Sequence, residues 1–175
     1  EKWSFGGSKL IIPSFFINEK FLNSLNEKER EIISWGKEYV ILSQPVVSKK
    51  KLSKNIPLTF GGSDPNNLTL RILETLKDTR YMSRVRVILG PGYKDNIQHL
   101  YSLGKKINIV RNSEQMQKEI ANSSIIFSAL GVTLQEAEYY GKKTAVLFNY
   151  EVDRKDFHYL KKYSKNKNLW KSIGM

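Results

Sequence analysis

Residues 56–76, IPLTFGGSDPNNLTLRILETL, change their hydrophobic period halfway along. Ile56–Phe60 is a short, mostly apolar run of strand character. Asn67–Leu76 carries Leu68, Ile72, Leu73 and Leu76 at i, i+4, i+5 and i+8, which is one face of a helix. Between them lies Gly61-Gly62-Ser63-Asp64-Pro65. The two glycines permit a sharp turn and a close approach of backbone to ligand. Asp64 followed by Pro65 reads as an N-cap with proline at the first helical position. A strand passing through a glycine turn into a helix is the opening half of a βαβ unit.

The same alternation continues downstream. Strands are expected at Arg84–Leu89, Ile107–Val110, Ser124–Ser128 and Thr144–Phe148, with helices at Lys94–Leu103, Ser113–Ala121 and Thr133–Tyr140. Five strands with four interposed helices predict an α/β, Rossmann-like parallel sheet with helices on both faces. Upstream, Leu10–Asn18 reads as a strand, Asn26–Trp35 as a charged helix stopped by Gly36, and Val40–Ser43 as an extended run. Lys49–Lys54 (KKKLSK) reads as a solvated basic linker. The expected organisation is therefore residues 1–54 as the remnant of a preceding domain with its linker, and residues 55–175 as the α/β domain. The chain starts at Glu1 with no signal-peptide pattern and reads as a piece of something longer.

Composition narrows the function classes. The 175 residues carry 29 Lys+Arg against 17 Asp+Glu, a formal charge of +12. Cysteine is absent, which excludes a disulfide framework, Cys-ligated zinc, iron–sulfur clusters and a thiol nucleophile, and fits a reducing, cytoplasmic compartment. Only two histidines, His99 and His158, are present, so no dedicated His-based metal site is expected, and no cofactor is implied. The longest mostly apolar run, Leu10–Ile17, is too short to span a bilayer. Lysine supplies 22 of the 29 cationic residues; a nucleic-acid surface would draw more on arginine and interleaved aromatics, so nucleic acid is not the expected partner. The basic charge does admit peripheral contact with an anionic membrane.

In a parallel α/β sheet, ligands sit at the carboxyl ends of the strands, so the loops there are the places to look for chemistry. Gly61, Gly62 and Ser63 follow the first strand and match neither G-x-G-x-x-G nor a P-loop. Gly90-Pro91-Gly92-Tyr93 follows the second. Ser128-Ala129-Leu130-Gly131-Val132-Thr133-Leu134-Gln135-Glu136 follows the fourth and admits two readings. Thr133 and Glu136 have capping-box spacing. Equally, amides at the helix start would bind a diphosphate while Glu136 accepts hydrogen bonds from ribose hydroxyls. His99, among Ile97, Leu100 and Leu103, is expected to be partly packed and hydrogen-bonded, and His158 to be structural. No nucleophile–base pair is visible, so no residue is assigned a catalytic role.

Phe60–Leu70 (FGGSDPNNLTL), Ile107–Met116 (INIVRNSEQM) and Ser128–Gly141 (SALGVTLQEAEYYG) together resemble the nucleotide-sugar-binding half of the GT-B family. The likeness is nearest the pseudaminic-acid-pathway UDP-sugar hydrolases and their spore-coat polysaccharide relatives. Trp35–Ser43 is similar to the segment preceding this half, and the resemblance spans roughly Leu10 to Tyr163. It implies one half of a GT-B fold, with Glu136 holding the ribose, Gly131, Val132 and Thr133 the diphosphate, and Asn112 and Ser113 setting main-chain groups against uracil. With Gly61, Gly62, Ser63 and Gly90 these form the candidate nucleotide site. Two departures stand out. Nothing matches the family's catalytic G-x-G-H loop, and the family's Asn-Gln pair is replaced by Glu151-Val152-Asp153-Arg154-Lys155.

The resemblance implies a UDP-sugar-binding domain of a hydrolase or glycosyltransferase in surface-glycan biosynthesis, inactive without the amino-terminal half. A separate donor-binding subunit, working in trans with a membrane-bound partner, is the alternative. A basic binder of nucleic acid or membrane is the third reading.

Overall fold

The structure, a computed structural model, describes residues 8–13, 19–42, 55–104, 107–164 and 166–174. It divides into two compact units, Glu1–Leu42 and Ser43–Met175. The expected linker Lys49–Lys54, the end of the expected Leu10–Asn18 strand and Ser43 lie outside the described residues.

In the first unit, β1 (Leu10–Ile12) and β2 (Ile33–Trp35) pair in parallel, Leu10 opposite Ile33 and Ile12 opposite Trp35. Helices α1 (Glu19–Ser24) and α2 (Glu27–Ile32) lie between them in sequence. A reciprocal capping box starts α2: the Glu29 amide donates to Asn26 Oδ1 at 2.9 Å and the Asn26 amide to Glu29 Oε2 at 2.8 Å. The expected helix Asn26–Trp35 thus ends early. Its last three residues, which include the β-branched Ile33 and the aromatic Trp35, are drawn into pairing with β1, and Ile33 is buried there. The expected extended run at Val40–Ser43 is not a strand where it is described; a 3-10 turn at Lys37–Tyr39 leads into irregular backbone.

The second unit is the α/β domain. Its elements alternate strictly: β3 (Ile56–Thr59), α3 (Leu68–Leu76), β4 (Val85–Leu89), α4 (Ile97–Ser102), β5 (Asn108–Arg111), α5 (Met116–Ala121), β6 (Ile126–Ala129), α6 (Val132–Tyr139), β7 (Thr144–Leu147), α7 (Glu151–Tyr163) and β8 (Trp170–Ser172). The six strands form one wholly parallel sheet in the order β5-β4-β3-β6-β7-β8, flanked by helices. The chain starts in the middle, winds outward through β4 and β5, then returns to the other side of β3. With right-handed crossovers that reversal puts the helices of the two halves on opposite faces. The fold is the expected one, with a sixth strand, β8, added to the five expected.

Burial follows the topology. Leu58, Val87, Ile126 and Val146, from the four central strands, are wholly buried, as strands covered on both faces require. The Arg86 guanidinium ties β4 to α5 with a bidentate pair to Glu119, Nε to Oε2 at 2.6 Å and Nη2 to Oε1 at 2.7 Å. The unexpected edge strand β8 is held by its first residue. Trp170 is buried with its ring centroid 6.3 Å from that of Phe157 on α7, which in turn lies 5.6 Å from Phe148. Among the described residues, no helix is long and apolar enough to cross a membrane.

Candidate functional site

The winding reverses between β3 and β6, which pair with Leu58 opposite Phe127 and Thr59 opposite Ser128. Loops leaving adjacent strands in opposite directions cannot close over that edge, so a crevice opens there. A cleft of about 210 Å³ occupies the carboxyl ends of the strands. Thr59, Gly61 and Gly62 line it from β3, Leu89, Gly90 and Pro91 from β4, Asn112, Ser113 and Met116 from β5 and α5, and Thr133 from α6. Six of the ten residues singled out in the sequence therefore meet in one place: Gly61, Gly62, Gly90, Asn112, Ser113 and Thr133. Ser63, Gly131, Val132 and Glu136 do not line the cleft.

The glycines divide by what surrounds them. Gly61 has φ +82, in the left-handed region that favours glycine, and a side chain there or on Gly62 would meet nothing within 4 Å. Both backbones thus present bare surface to the cleft. Gly90 differs: a Cβ on it would sit 2.5 Å from the Gly61 carbonyl and from Gly62 Cα. Its smallness lets the loop after β4 seat against the loop after β3, and the Gly92 amide then donates to the Gly62 carbonyl at 2.8 Å. Asn112 holds φ +48 with its amide donated to the Leu89 carbonyl at 2.9 Å, which turns the chain sharply off β5.

Two local expectations are corrected. Asp64 does cap α3, but not with Pro65 as the first helical residue. The helix starts at Leu68, and the buried Asp64 carboxylate reaches forward to accept the amides of Leu68 and Thr69, each at 2.9 Å. Pro65 and Asn66 make the intervening turn, closed by the Asn67 amide on the Asp64 carbonyl. The capping box at Thr133 and Glu136 does not form. Helix α6 begins at Val132 with Gly131 at the cap and no side-chain capping bond, so Glu136 lies too far into the helix to reach back.

Glu136 is instead carried one turn beyond Thr133, on a residue only 9% exposed, and takes no part in capping the helix. Burial pushes its carboxyl above the ordinary carboxylate value. A partly desolvated carboxylate one turn into a helix that leaves a strand end is a candidate acceptor for a ligand carrying hydroxyl donors.

The histidines fall outside this cleft. His158, exposed on α7, has Nδ1 2.7 Å from the Arg154 carbonyl of its own helix, a local role. His99 is exposed rather than packed and lines a separate cavity. Among the described residues, no group of three or more His, Asp or Glu side chains is gathered as a metal site.

Fold and cleft together define a Rossmann-like α/β domain with a cleft at its topological switch point. No protein-family model matches the chain. The chain is similar to an uncharacterized protein of the archaeon Methanocaldococcus jannaschii, 34% identical over 170 residues that make up 89% of this chain. The chain spans only 34% of that relative's length.

Proposed function

We propose that this domain binds a UDP-sugar at the switch-point cleft and serves as the donor-binding half of a GT-B-type hydrolase or glycosyltransferase of surface-glycan biosynthesis in the cytoplasm. The observation that carries the reading is the convergence of Gly61, Gly62, Gly90, Asn112, Ser113 and Thr133 on one cleft, with the largely buried Glu136 a turn behind Thr133. In this reading the amides at the start of α6 and the bare glycine backbone face the diphosphate, the Asn112–Ser113 turn faces the base, and Glu136 accepts the ribose hydroxyls. Helix-end amides stabilise charge as it builds on the departing diphosphate. The group that activates water or an acceptor comes from another domain, and this chain alone is inactive. In the archaeal relative the matched region lies within a chain nearly three times as long, which favours that domain being in cis over a partner supplied in trans.

Titration calorimetry of the whole chain with UDP, GDP, CMP and inorganic phosphate tests the reading. UDP should bind saturably, and more tightly than the other three. Equal response to UDP and GDP, or none to UDP, refutes the uridine assignment.

A further inference from the structure

The two ends of the six-stranded sheet differ in charge. The connections that leave the strands, at the cleft end, hold Lys94 against Asp64, Asp95 and Glu114. The connections that enter β4, β6 and β7, at the opposite end, hold Lys77, Arg80, Arg84, Lys142 and Lys143 against Asp78. Helix α7 repeats the pattern, with Glu151 and Asp153 in its first turn and Lys161 and Lys162 in its last. Positive charge thus gathers at the amino end of the sheet, away from the cleft. Hydrogen bonds join the connections there into one face: Arg84 Nη2 donates to Ser124 Oγ at 3.2 Å, Ser124 Oγ to the Asn55 carbonyl at 3.1 Å, and the Ile126 amide to the Lys143 carbonyl at 3.0 Å.

Compensation of helix ends accounts for part of this charge: Lys142 Nζ donates to the Ala121 carbonyl at 2.6 Å, at the end of α5. It does not account for the aromatics. Tyr81 beside Arg80, Tyr101 near the end of α4 and Tyr139 at the end of α6 are 39%, 45% and 55% exposed, all at this same end of the sheet. Lys77, Arg80 and Lys143 are exposed among them. Cations interspersed with half-exposed tyrosines suit an anionic bilayer surface, where the cations meet lipid phosphates and the rings sit at headgroup level. Single-stranded nucleic acid instead needs open ring faces on which bases stack. The Tyr81 ring already carries the Arg80 and Arg84 guanidiniums, 5.1 and 5.9 Å from its centroid, and Tyr139 packs edge-on with Tyr140 at 5.7 Å.

We propose that the amino end of the sheet is a docking face for an anionic phospholipid bilayer, with Lys77, Arg80 and Lys143 on the lipid phosphates and Tyr81, Tyr101 and Tyr139 at the level of the headgroups. Docking there leaves the switch-point cleft, at the other end of the strands, open to solution.

The chain has no cysteine, so a single introduced thiol can be labelled alone. An environment-sensitive fluorophore is attached to the whole chain at Ser83→Cys, on the proposed face, or at Glu114→Cys, at the cleft end; both positions are exposed. With vesicles of phosphatidylcholine containing about 30% phosphatidylglycerol, the label at Ser83→Cys should shift to the blue saturably and the label at Glu114→Cys should not. Vesicles of phosphatidylcholine alone should bind at least about tenfold more weakly. In co-sedimentation of the unlabelled chain, Lys77→Gln, Arg80→Gln and Lys143→Gln should each weaken binding to the anionic vesicles by about fivefold, and together by about 100-fold, at an unchanged melting temperature. Tyr139→Ser should weaken it several-fold with no change of charge. A blue shift at Glu114→Cys in place of Ser83→Cys, equal binding to both vesicles, no vesicle binding, or unchanged binding by the triple variant overturns the face. Vesicle binding by Tyr139→Ser equal to the parent's overturns the role given to the tyrosines. A single-stranded oligonucleotide that binds more tightly than the anionic vesicles, and is lost in the triple variant, overturns the lipid assignment in favour of nucleic acid.

Discussion

Replacing Glu136 separates a ligand-binding carboxylate from a structural one, because the two roles move affinity and stability in opposite patterns. In the structure Glu136 is 9% exposed and takes no part in capping α6. Its removal therefore costs no helix cap and relieves the desolvation of a charge. Glu136→Gln should leave the melting temperature unchanged or raise it. A charge-assisted hydrogen bond to ribose hydroxyls is worth about 1.5–3 kcal/mol. Its loss should weaken UDP by about 10- to 150-fold, while uracil alone should be affected little. The pH dependence gives an independent check. The Glu136 carboxyl sits above its ordinary value of 4.5 in the folded chain because of burial, so the folded state holds this proton more tightly than the unfolded state. Its contribution to stability is full below about 4.5 and is lost as pH rises through the higher folded value. Over that window the parent should lose stability relative to Glu136→Gln, as followed by urea denaturation in a pH series. Titration calorimetry with UDP and a melting curve for each protein decide the matter. Equal UDP affinity with a lowered melting temperature would falsify the ribose assignment and return Glu136 to a structural role.

Gly62→Val places its side chain in open space at the cleft, so urea denaturation should show a stability change within about 0.5 kcal/mol, while calorimetry shows UDP binding abolished. Gly90→Ala should do the reverse of a surface change: its Cβ meets Gly61 and Gly62 backbone at 2.5 Å, and chemical denaturation should register a loss of about 1–3 kcal/mol. Asp64→Ala strips two amides at the start of α3 of their acceptor and should cost about 1–3 kcal/mol by the same measurement, with Asp64→Asn recovering part of it.

What the sequence determined by itself is the local layer. The switch from strand to helix period at residues 56–76 and its repetition downstream define a parallel α/β domain, because hydrophobic period is a property of neighbours in the chain. The glycine, asparagine and threonine positions at strand ends were legible for the same reason: turns are local, and in a parallel sheet they all fall on one edge. What only the tertiary structure decided depends on residues far apart in sequence. The placing of β3 in the middle of the sheet, and hence the switch point beside β6, comes from strand pairing between residues about seventy apart. Ile33–Trp35 reads as helix until β1 is there to pair with it. Trp170–Ser172 is too short to show a period, and becomes a strand because Trp170 packs on Phe157. Gly90 looked like a ligand-facing glycine, and the structure adds the requirement made by Gly61 and Gly62 pressed against it. Thr133 and Glu136 have the spacing of a capping box, but the helix begins at Val132. The side chain is carried past the cap and left largely buried. Spacing along the chain is the same in both cases; where the helix starts is settled by packing against the sheet, and that is a property of the whole fold.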